Sequence, residues 1–294
     1  IGKSDYFKLQ MIITGAHLLW EQGHTIDQII EDGFQADSVI DVQLDTSSQE
    51  AIASSMGRMA EMFAPALRRL EPDYLLVLGD RYELLPICNT AFVMRIPIIH
   101  LSGGDVTAGA IDDGIRNTVT MLAEYHFPGT KDSAENIVRM RGSDRNIWAV
   151  GEPGIDSFYR AELLTKTELA AELGLDTGRE WVLLTYHAET VESLEYNLHA
   201  IKNCVQVLKE LHGYQVVATY SNADFGGRYI NEYLEEEGKD PGGNLIVLPS
   251  LGNQRYLSLM KQVRFVIGNS SSGIVEAPAL RTPVVNIGNR QKGR

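Results

Sequence analysis

Residues 265–276 read FVIGNSSSGIVE, and this stretch indicates the fold. The apolar run at 265–267 predicts a strand, and a helix is predicted over 274–280. A strand, a turn rich in glycine and serine, and a helix point free backbone N–H groups at one place, an arrangement that binds anions. Glu276 is predicted one turn into the helix, where its carboxylate suits two vicinal hydroxyls such as those of a ribose. An ordinary serine-rich turn that caps a helix has the same composition.

A second strand and a basic loop follow this stretch. Apolar residues predict a strand at 284–287, and the loop GNRQKGR covers residues 288–294. Its cations are Arg290, Lys292 and Arg294. Cations that follow a strand directly suit a phosphate group. The two loops together therefore predict a small anion site.

The composition is that of a soluble globular protein. The chain has 294 residues, of which 44% are hydrophobic and 22% charged, and this suits two domains of about 150 residues each. The net charge is −13, whereas proteins that bind nucleic acid are usually basic. We therefore expect no nucleic-acid partner.

Cysteine usage and hydropathy exclude several further classes. Cys88 and Cys204 lie far apart in apolar contexts, which predicts two buried free thiols and neither a disulfide framework nor a metal site. No apolar run approaches the length of a membrane span, and no signal peptide opens the chain. The sequence therefore predicts a cytoplasmic protein without a membrane partner.

Predicted strands and helices alternate in two series. Strands are predicted at residues 11–15, 74–78, 96–99, 125–128 and 146–150 in the first series, and at 181–185, 215–219, 245–248, 265–267 and 284–287 in the second. A helix predicted over 159–175 separates the series. Alternation favours parallel sheets and an α/β class. We predict two doubly wound domains, residues 1–158 and 159–294, that face each other across a cleft.

Polar side chains recur where the predicted strands end, which is where α/β proteins carry their sites. In the first domain they are His17, Asp80, Arg81, His100, Asp105, Asp112 and Arg116, and in the second they are His187, Glu189, Asn222, Asp224, Ser270, Ser271, Glu276 and Arg290. A histidine in such a place, as at His100 and His187, is either hydrogen-bonded support or a proton-transfer group. The recurrence predicts an active site at these edges.

Several of these residues also have structural explanations. Asp80 directly follows an apolar strand and could form an ion pair with Arg81. Asp112 could simply cap the helix that it opens, because a helix N-terminus favours a carboxylate. Arg116 lies one turn further along and could pair with Asp112. The residues alone leave both explanations open.

Six motifs are distributed along the chain. They are LGDRYE at 78–83, HLSGGD at 100–105, AIDD at 110–113 with Arg116, TYHAET at 185–190, SNAD at 221–224, and the block at 268–294. Together they resemble the hydrolysing UDP-N-acetylglucosamine 2-epimerases, a family that includes bacterial sialic-acid-pathway enzymes and the epimerase half of the bifunctional animal enzyme. The likeness covers essentially the whole chain, and the last block is its most specific part.

The resemblance implies a GT-B-type fold of two Rossmann-like domains, with the active site in the cleft between them and UDP held mainly by the second. The substrate-binding positions that it implies are Arg81, His187, Asn222, Ser270, Ser271, Glu276 and Arg290. The catalytic positions that it implies are Asp80, Asp112 and Arg116, supported by His100 and Asp156, with Asp105 as a further candidate. It implies no cofactor, and a homodimer or homotetramer.

The chain also departs from the family pattern. Family members often carry Glu or His two residues after the position of His100, where this chain has Ser102. The nearest acid is Asp105, in a GGD that replaces the family's GGE. The loop at 103–112 is one residue longer than in the animal enzyme. The family's first strand, with its Gly-Thr-Arg turn, and the stretch after the basic loop find no match, so we expect each domain to lack one terminal segment.

The implied reaction converts UDP-N-acetylglucosamine and water to UDP and N-acetylmannosamine, in sialic-acid-type sugar biosynthesis. UDP leaves by elimination across C1–C2, and Asp80 or Asp112 takes the C2 proton. Water then adds to the glycal while a second group protonates the other face of C2. No nicotinamide cofactor is expected because the chain has no GxGxxG turn between a strand and a helix.

Four other functions stay open. The first is the same reaction on a UDP-diacetamido-trideoxyhexose, on the route to legionaminic-type acids, with Ser102 and Asp105 linked to recognition at C4 and C6. The second is non-hydrolysing epimerisation, although the GDRYE, SNAD and RQKGR forms favour the hydrolysing branch. The third is a catalytically silent nucleotide-sugar-binding module. The fourth is glycosyl transfer on the same fold.

Overall fold

The computed structural model describes residues 2, 4–160 and 162–294. Contacts divide the chain into two compact units. Unit 1 comprises the residues up to Asp105 together with Asp112–Val150, and unit 2 comprises Val106–Ile111 together with Gly151–Arg294. The division by contacts thus falls after Val150, and the domain boundary at residues 158 and 159 stays a prediction.

Unit 1 contains two parallel sheets. Its elements are β1 (Ile12–Thr14), α1 (Ile26–Glu31), β2 (Ser38–Ile40), α2 (Gln49–Leu70), β3 (Leu75–Leu78), α3 (Leu84–Val93), β4 (Ile98–Leu101), α4 (Asp112–Leu122), β5 (Tyr125–Phe127) and α5 (Lys131–Arg141). One sheet pairs β1 with β2, and the other has the order β3-β4-β5. Side chains from both sheets and from α2, α3 and α4 form one core.

The helix α2 shows how the sequence specifies these elements. Ser48 caps its N-terminus by accepting a hydrogen bond from the Ala51 N–H. Met59, Phe63 and Leu67 recur every four residues, so they lie on one face, and all three are buried in the core. The helix ends at Leu70.

Unit 2 contains one five-stranded parallel sheet. Its elements are α6 (Pro153–Arg160), α7 (Lys166–Leu173), β6 (Glu180–Thr185), α8 (Leu194–Lys209), β7 (Tyr214–Thr219), α9 (Gly227–Gly238), β8 (Leu245–Leu248), α10 (Gly252–Gln262), β9 (Phe265–Gly268), α11 (Glu276–Leu280) and β10 (Val284–Asn286). The strand order is β8-β7-β6-β9-β10. The order reverses between β6 and β9, and ligands bind outside the carboxyl ends of strands at such a point.

The strand β6 runs through the middle of this sheet and is buried on both faces. Leu183 packs into one core with Val217 and Val266, and Leu184 packs into the other with Ala218. A strand of this kind is apolar at nearly every position rather than at every second one. The sheet therefore provides a rigid base for the loops that leave its carboxyl edge.

Two strand predictions need correction. β4 runs from Ile98 and includes His100, which the sequence predicts in the following loop. The strand continues because its pairing with β3 and β5 extends through His100. The strand predicted at 146–150 is only an isolated bridge between His126 and Ile147. The sequence patterns also do not predict α1 or β2.

The helix predicted over 159–175 is two helices. α6 ends at Arg160, and α7 begins after Thr165, which forms a capping box with Glu168. Ala161 lies outside the described residues. The capping box explains the interruption, because it satisfies the first N–H groups of a new helix.

The helix predicted over 274–280 is shorter than expected. A 3-10 turn spans Ser271–Gly273, and α11 begins only at Glu276. Ser270 caps the 3-10 turn by accepting from the Ser272 N–H. Glu276 is therefore the first residue of a five-residue helix rather than a residue one turn inside a longer one.

Cys88 and Cys204 are buried free thiols, as predicted. Burial raises the pKa of Cys88 to about 12 and that of Cys204 to about 11. Both thiols therefore stay protonated near neutral pH and are poor nucleophiles. Among the helices of the described segments, none combines the length and the apolar composition that crossing a membrane requires.

Candidate functional site

Unit 1 gathers predicted site residues around one buried guanidinium. Arg116, on α4, is fully buried and forms an ion pair with Asp80 at the end of β3. It donates to the Asp105 carbonyl oxygen at 2.9 Å, and its Nη1 lies 3.8 Å from Asp113 Oδ1. A buried guanidinium requires such partners because an unpaired charge in the interior is costly. Arg116 therefore ties the end of β3, the loop after β4 and the first turn of α4 together.

His100 is a buried histidine whose two ring nitrogens both have hydrogen-bond partners. Nε2 lies 2.8 Å from the Gly79 carbonyl oxygen, and Nδ1 lies 3.1 Å from Thr120 Oγ1. A carbonyl can only accept, so Nε2 carries the proton, and in the neutral ring Nδ1 accepts from the Thr120 hydroxyl. Burial lowers the pKa of His100. The histidine thus holds the peptide directly before Asp80, which suits a supporting role, and proton transfer by His100 stays a prediction.

Asp105 is attached to α5. Its Oδ1 accepts a hydrogen bond from Ser133 Oγ at 2.6 Å. Thr130 caps α5 by accepting from the Ser133 N–H, so the serine lies in the first turn of that helix. The Asp105 side chain therefore helps to fasten the GGD turn, and its predicted role as an acid or base stays a prediction.

Arg81 and Asp112 occupy the remaining predicted positions of unit 1. Nε of Arg81 lies 3.3 Å from Oε2 of Glu83. Asp112 opens α4, as predicted, and together with Asp113 it places negative charge in the first turn, where a helix favours it. Glu83 is buried, 8% exposed, and the predicted set omits it. The sequence feature that could have identified Glu83 is its place as a second acid within the GDRYE motif.

In unit 2, three loops at the carboxyl edge of the sheet are joined by hydrogen bonds. The Asn269 side chain, after β9, accepts from His187 N–H at 2.7 Å and donates to the His187 carbonyl at 2.8 Å. The Asn222 N–H, after β7, donates to His187 Nδ1 at 3.1 Å. Nδ1 therefore carries no proton, and the neutral ring carries its proton on Nε2. His187 is thus fixed in a tautomer that can donate from Nε2.

The serine-rich turn is supported by a group of hydroxyls. Ser272 Oγ lies 3.0 Å from Ser270 Oγ and 2.7 Å from the Tyr256 hydroxyl. The Tyr256 hydroxyl also lies 3.2 Å from Thr185 Oγ1 at the end of β6. These contacts link the turn to β6 and α10. Ser271 begins the 3-10 turn, and its predicted contact with the substrate stays a prediction.

A cleft of about 390 Å³ opens at this edge. It is lined by the ends of β6, β7 and β9, by the loop before α10, and by Gly154 and Glu276. Oε2 of Glu276 is buried and has no hydrogen-bond partner among the described residues. Burial raises the pKa of the Glu276 carboxyl above its ordinary value. A buried carboxyl oxygen without a partner is costly unless a ligand supplies donors.

The basic loop at 288–294 presents its cations unequally. Arg290 is 7% exposed, and its Nη2 lies 4.0 Å from Oδ2 of the buried Asp224. Lys292 and Arg294 are exposed. Of the three cations, Arg290, the predicted substrate-binding one, is buried. Asp224 is one of the strand-end residues but is not among the predicted site residues. The sequence feature that could have identified it is the SNAD motif.

The sequence profile of the UDP-N-acetylglucosamine 2-epimerase family matches residues 1–294. The chain belongs to this family. A relative from Campylobacter jejuni, a GDP/UDP-N,N'-diacetylbacillosamine 2-epimerase (hydrolyzing), is 35% identical over 97% of the chain and 74% of the relative. A UDP-N,N'-diacetylbacillosamine 2-epimerase (hydrolyzing) from Legionella pneumophila is 29% identical over the whole chain and 77% of the relative. The resemblance to the hydrolysing epimerase family is confirmed.

Solved epimerase structures share the fold. The crystal structure of the Neisseria meningitidis UDP-GlcNAc 2-epimerase bound to UDP-GlcNAc matches with a TM-score of 0.79 and 19% identity, over 99% of this chain and 78% of that one. The Methanocaldococcus jannaschii epimerase in complex with UDP-GlcNAc and UDP matches with a TM-score of 0.72 and 17% identity, over 97% and 85%. The predicted fold of two Rossmann-like α/β domains of GT-B type is confirmed. The predicted site between the domains stays a prediction.

Within this epimerase family member, each unit brings its own predicted residues together. Unit 1 joins Asp80, Asp105 and Arg116 directly, and His100 through the peptide before Asp80. Unit 2 joins His187 and Asn222 directly. The roles assigned to these residues stay predictions, as do the oligomeric state and the cytoplasmic location.

Proposed function

We propose that this family member hydrolyses and epimerises a UDP-linked 2-acetamido sugar, releasing UDP and the free sugar inverted at C2. The observation that carries the proposal is Glu276: a buried carboxyl oxygen without a described partner, in a cleft lined by Ser270 and His187. Ribose hydroxyls are donors that suit this oxygen. His187 Nε2 and the buried Arg290 suit the diphosphate.

We propose N,N'-diacetylbacillosamine as the first sugar to test. The relatives named for it are 35% and 29% identical to this chain, whereas the Neisseria meningitidis UDP-N-acetylglucosamine 2-epimerase is 26% identical. UDP-N-acetylglucosamine, the substrate predicted from the sequence, is the second candidate. A place in sialic-acid-type sugar biosynthesis depends on that second candidate and stays a prediction.

The proposed reaction has two stages. The C1–O bond breaks and its electron pair leaves with UDP, whose charge the Ser270 turn and Arg290 stabilise. A carboxylate, Asp80 or Asp112, takes the C2 proton, which leaves a C1=C2 glycal. Water then adds at C1 and gives up one proton to a base, while a second group delivers a proton to the opposite face of C2. Acid–base groups of this kind each contribute about 10²–10⁴ in rate.

The test is NMR of the protein with each UDP-sugar in D₂O. The expected result is free sugar of the manno configuration at C2, deuterated at C2, together with released UDP. An epimerised sugar that remains attached to UDP would contradict hydrolysis. Asp80→Asn should abolish turnover while UDP still binds, whereas UDP binding without turnover in the parent protein would indicate a silent binding module.

A further inference from the structure

We propose that Glu189 is a positioning residue that holds the Arg290 loop in the shape that binds the diphosphate. The inference rests on the proposed function, because it concerns the same nucleotide site. Glu189 follows β6 in the TYHAET motif and lies among neither the predicted catalytic nor the predicted substrate-binding residues. Its role is to fix the backbone that carries Arg290 rather than to touch the substrate.

The Glu189 carboxylate is buried against the start of the basic loop. Its two oxygens lie 3.2 and 3.1 Å from the Asn289 backbone nitrogen, and the residue is 1% exposed. The contact is close enough that a Cβ at Gly288 would collide with the carboxylate. A carboxylate acceptor makes a stronger hydrogen bond to an N–H than a neutral oxygen does. The peptide between Gly288 and Asn289, one residue before Arg290, is therefore held by a charged acceptor.

Glu189 is itself held rigidly. Its N–H donates to Asn197 Oδ1 at 2.7 Å, and Asn197 Nδ2 lies 3.2 Å from the Glu189 carbonyl oxygen. Asn197 lies on α8 and is buried. The carboxylate thus projects from a backbone fixed on both sides, so it can act as a rigid support for the loop.

The charges around Arg290 support the same role. Burial raises the pKa of Glu189 above its ordinary value and the charge of Glu192 adds to the rise, while the Asn289 N–H and the charge of Arg290 act against it. Asp224 provides a second buried carboxylate, 4.0 Å from the guanidinium. A buried guanidinium that nearby acids attract stays in place before an anion arrives, so less ordering is required when the diphosphate binds.

Other contacts shape the rest of the loop but not the Asn289 peptide N–H. Gln291 Nε2 donates to the Asn269 carbonyl oxygen at 3.0 Å, and the Ala108 N–H donates to the Lys292 carbonyl oxygen at 3.0 Å. These contacts keep the loop folded when Glu189 is changed. Variants at Glu189 should therefore change its shape at Arg290 without unfolding unit 2.

The test compares UDP and uridine binding to the full chain by NMR titration. Glu189→Gln removes the charge, and Glu189→Asp keeps the charge but withdraws it from Asn289 by one methylene. Both should weaken UDP binding about tenfold or more and leave uridine binding unchanged, because uridine has no phosphate. Glu210→Gln, an exposed change at the far end of α8, is the control and should leave both unchanged.

A double-mutant cycle completes the test. In an Arg290→Ala protein, Glu189→Gln should cause no further loss of UDP affinity, since the group that Glu189 positions is gone. Full additivity of the two losses, or an equal loss of uridine binding, would overturn the inference. Wild-type UDP affinity in Glu189→Gln would also overturn it while leaving the proposed function intact. Coupling seen in a parent protein that turns over no UDP-sugar would overturn the proposed function alone.

Discussion

At the scale of single residues, the site depends on side chains whose polar atoms are enclosed. Glu276 keeps a buried oxygen without a described partner, whereas both nitrogens of His100 have one. The unsatisfied Glu276 oxygen destabilises the unliganded protein, and a ligand that donates a hydrogen bond removes that free-energy cost. The satisfied His100 ring stabilises the fold. The two residues should therefore respond in opposite ways to substitution.

Glu276→Gln should stabilise the unliganded protein and weaken UDP binding about tenfold, as expected for losing hydrogen bonds to a charged group. Burial raises the pKa of Glu276 above 4.5, so the folded state keeps its proton to a higher pH than the unfolded state does. Wild-type stability then falls as pH rises from about 4.5 through the raised pKa. Thermal melts should show a gain for Glu276→Gln at pH 7.5 that shrinks towards pH 4.

Thr120→Val tests the support of His100. The change leaves Nδ1 of a buried imidazole without its donor and should cost about 1–3 kcal/mol of stability. Thr118→Val, on the exposed face of the same helix, should change stability by less than about 0.5 kcal/mol. Urea unfolding of both variants measures the difference. Equal losses would show that the Thr120–His100 hydrogen bond does not stabilise the fold.

At the scale of elements, unit 2 is organised where β9 meets β6. Gly268 ends β9 with φ of 140°, and its Cα lies against the backbone of Thr185. Only glycine permits this approach, because a Cβ would collide with the Thr185 carbonyl oxygen. The serine-rich turn leaves the sheet at this point, so its position depends on residue 268 being a glycine.

Gly268→Ala should therefore destabilise unit 2 by about 3 kcal/mol or more, through backbone strain and lost β6–β9 pairing. Gly57→Ala in α2 is the matched control, since a Cβ there meets nothing within 4 Å, and it should stabilise by about 0.5–1 kcal/mol. Denaturant unfolding of the two variants is the measurement. A tolerated alanine at residue 268 would contradict the close approach.

The segment Val106–Ile111 is an element without regular structure that packs on the basic loop. A Cβ at Gly109 would collide with the Asn289 carbonyl oxygen, and the Ile111 N–H donates to Thr190 Oγ1 at 2.9 Å. Gly109→Ala should displace the segment and lower UDP affinity about tenfold, the cost of about one charged hydrogen bond. Isothermal titration of this variant beside Gly57→Ala checks the effect, and unchanged affinity would contradict it.

At the scale of the whole molecule, the apolar cores are separate. One cluster lies in unit 1 and two lie on opposite faces of the unit 2 sheet. The chain has three tryptophans: Trp20 and Trp148 lie in unit 1, and Trp181 lies buried in unit 2. Each unit can thus be followed by its own fluorescence.

Thermal unfolding should show two transitions, and UDP should raise only the one that Trp181 reports. Saturation at 100 times Kd adds about 2.7 kcal/mol to the unit that binds. Calorimetry with and without UDP detects the shift, and tryptophan fluorescence melts of the parent and of Trp181→Phe assign it. The variant should lose the fluorescence change of the shifted transition. A shift of both transitions would show that UDP stabilises both units.

The sequence alone determined the alternation of strands and helices, the parallel sheets and the family. These features depend on periodicity and capping, which act over a few residues and can be read locally. Even the location of the site at the strand ends follows from the α/β class. The polar residues at strand ends and the serine-rich turn could therefore be predicted without the structure.

Tertiary structure alone decided which partners those residues meet. Asp80 pairs with Arg116 from 36 residues away, and Glu189 holds Asn289 from 100 residues away. His100 became part of β4 because strands on both sides pair with it. Contacts between residues far apart in sequence are set by how strands assemble and loops close, and no local pattern encodes them. The sequence shows which polar side chains follow the strands, but it does not show how those side chains are buried and paired.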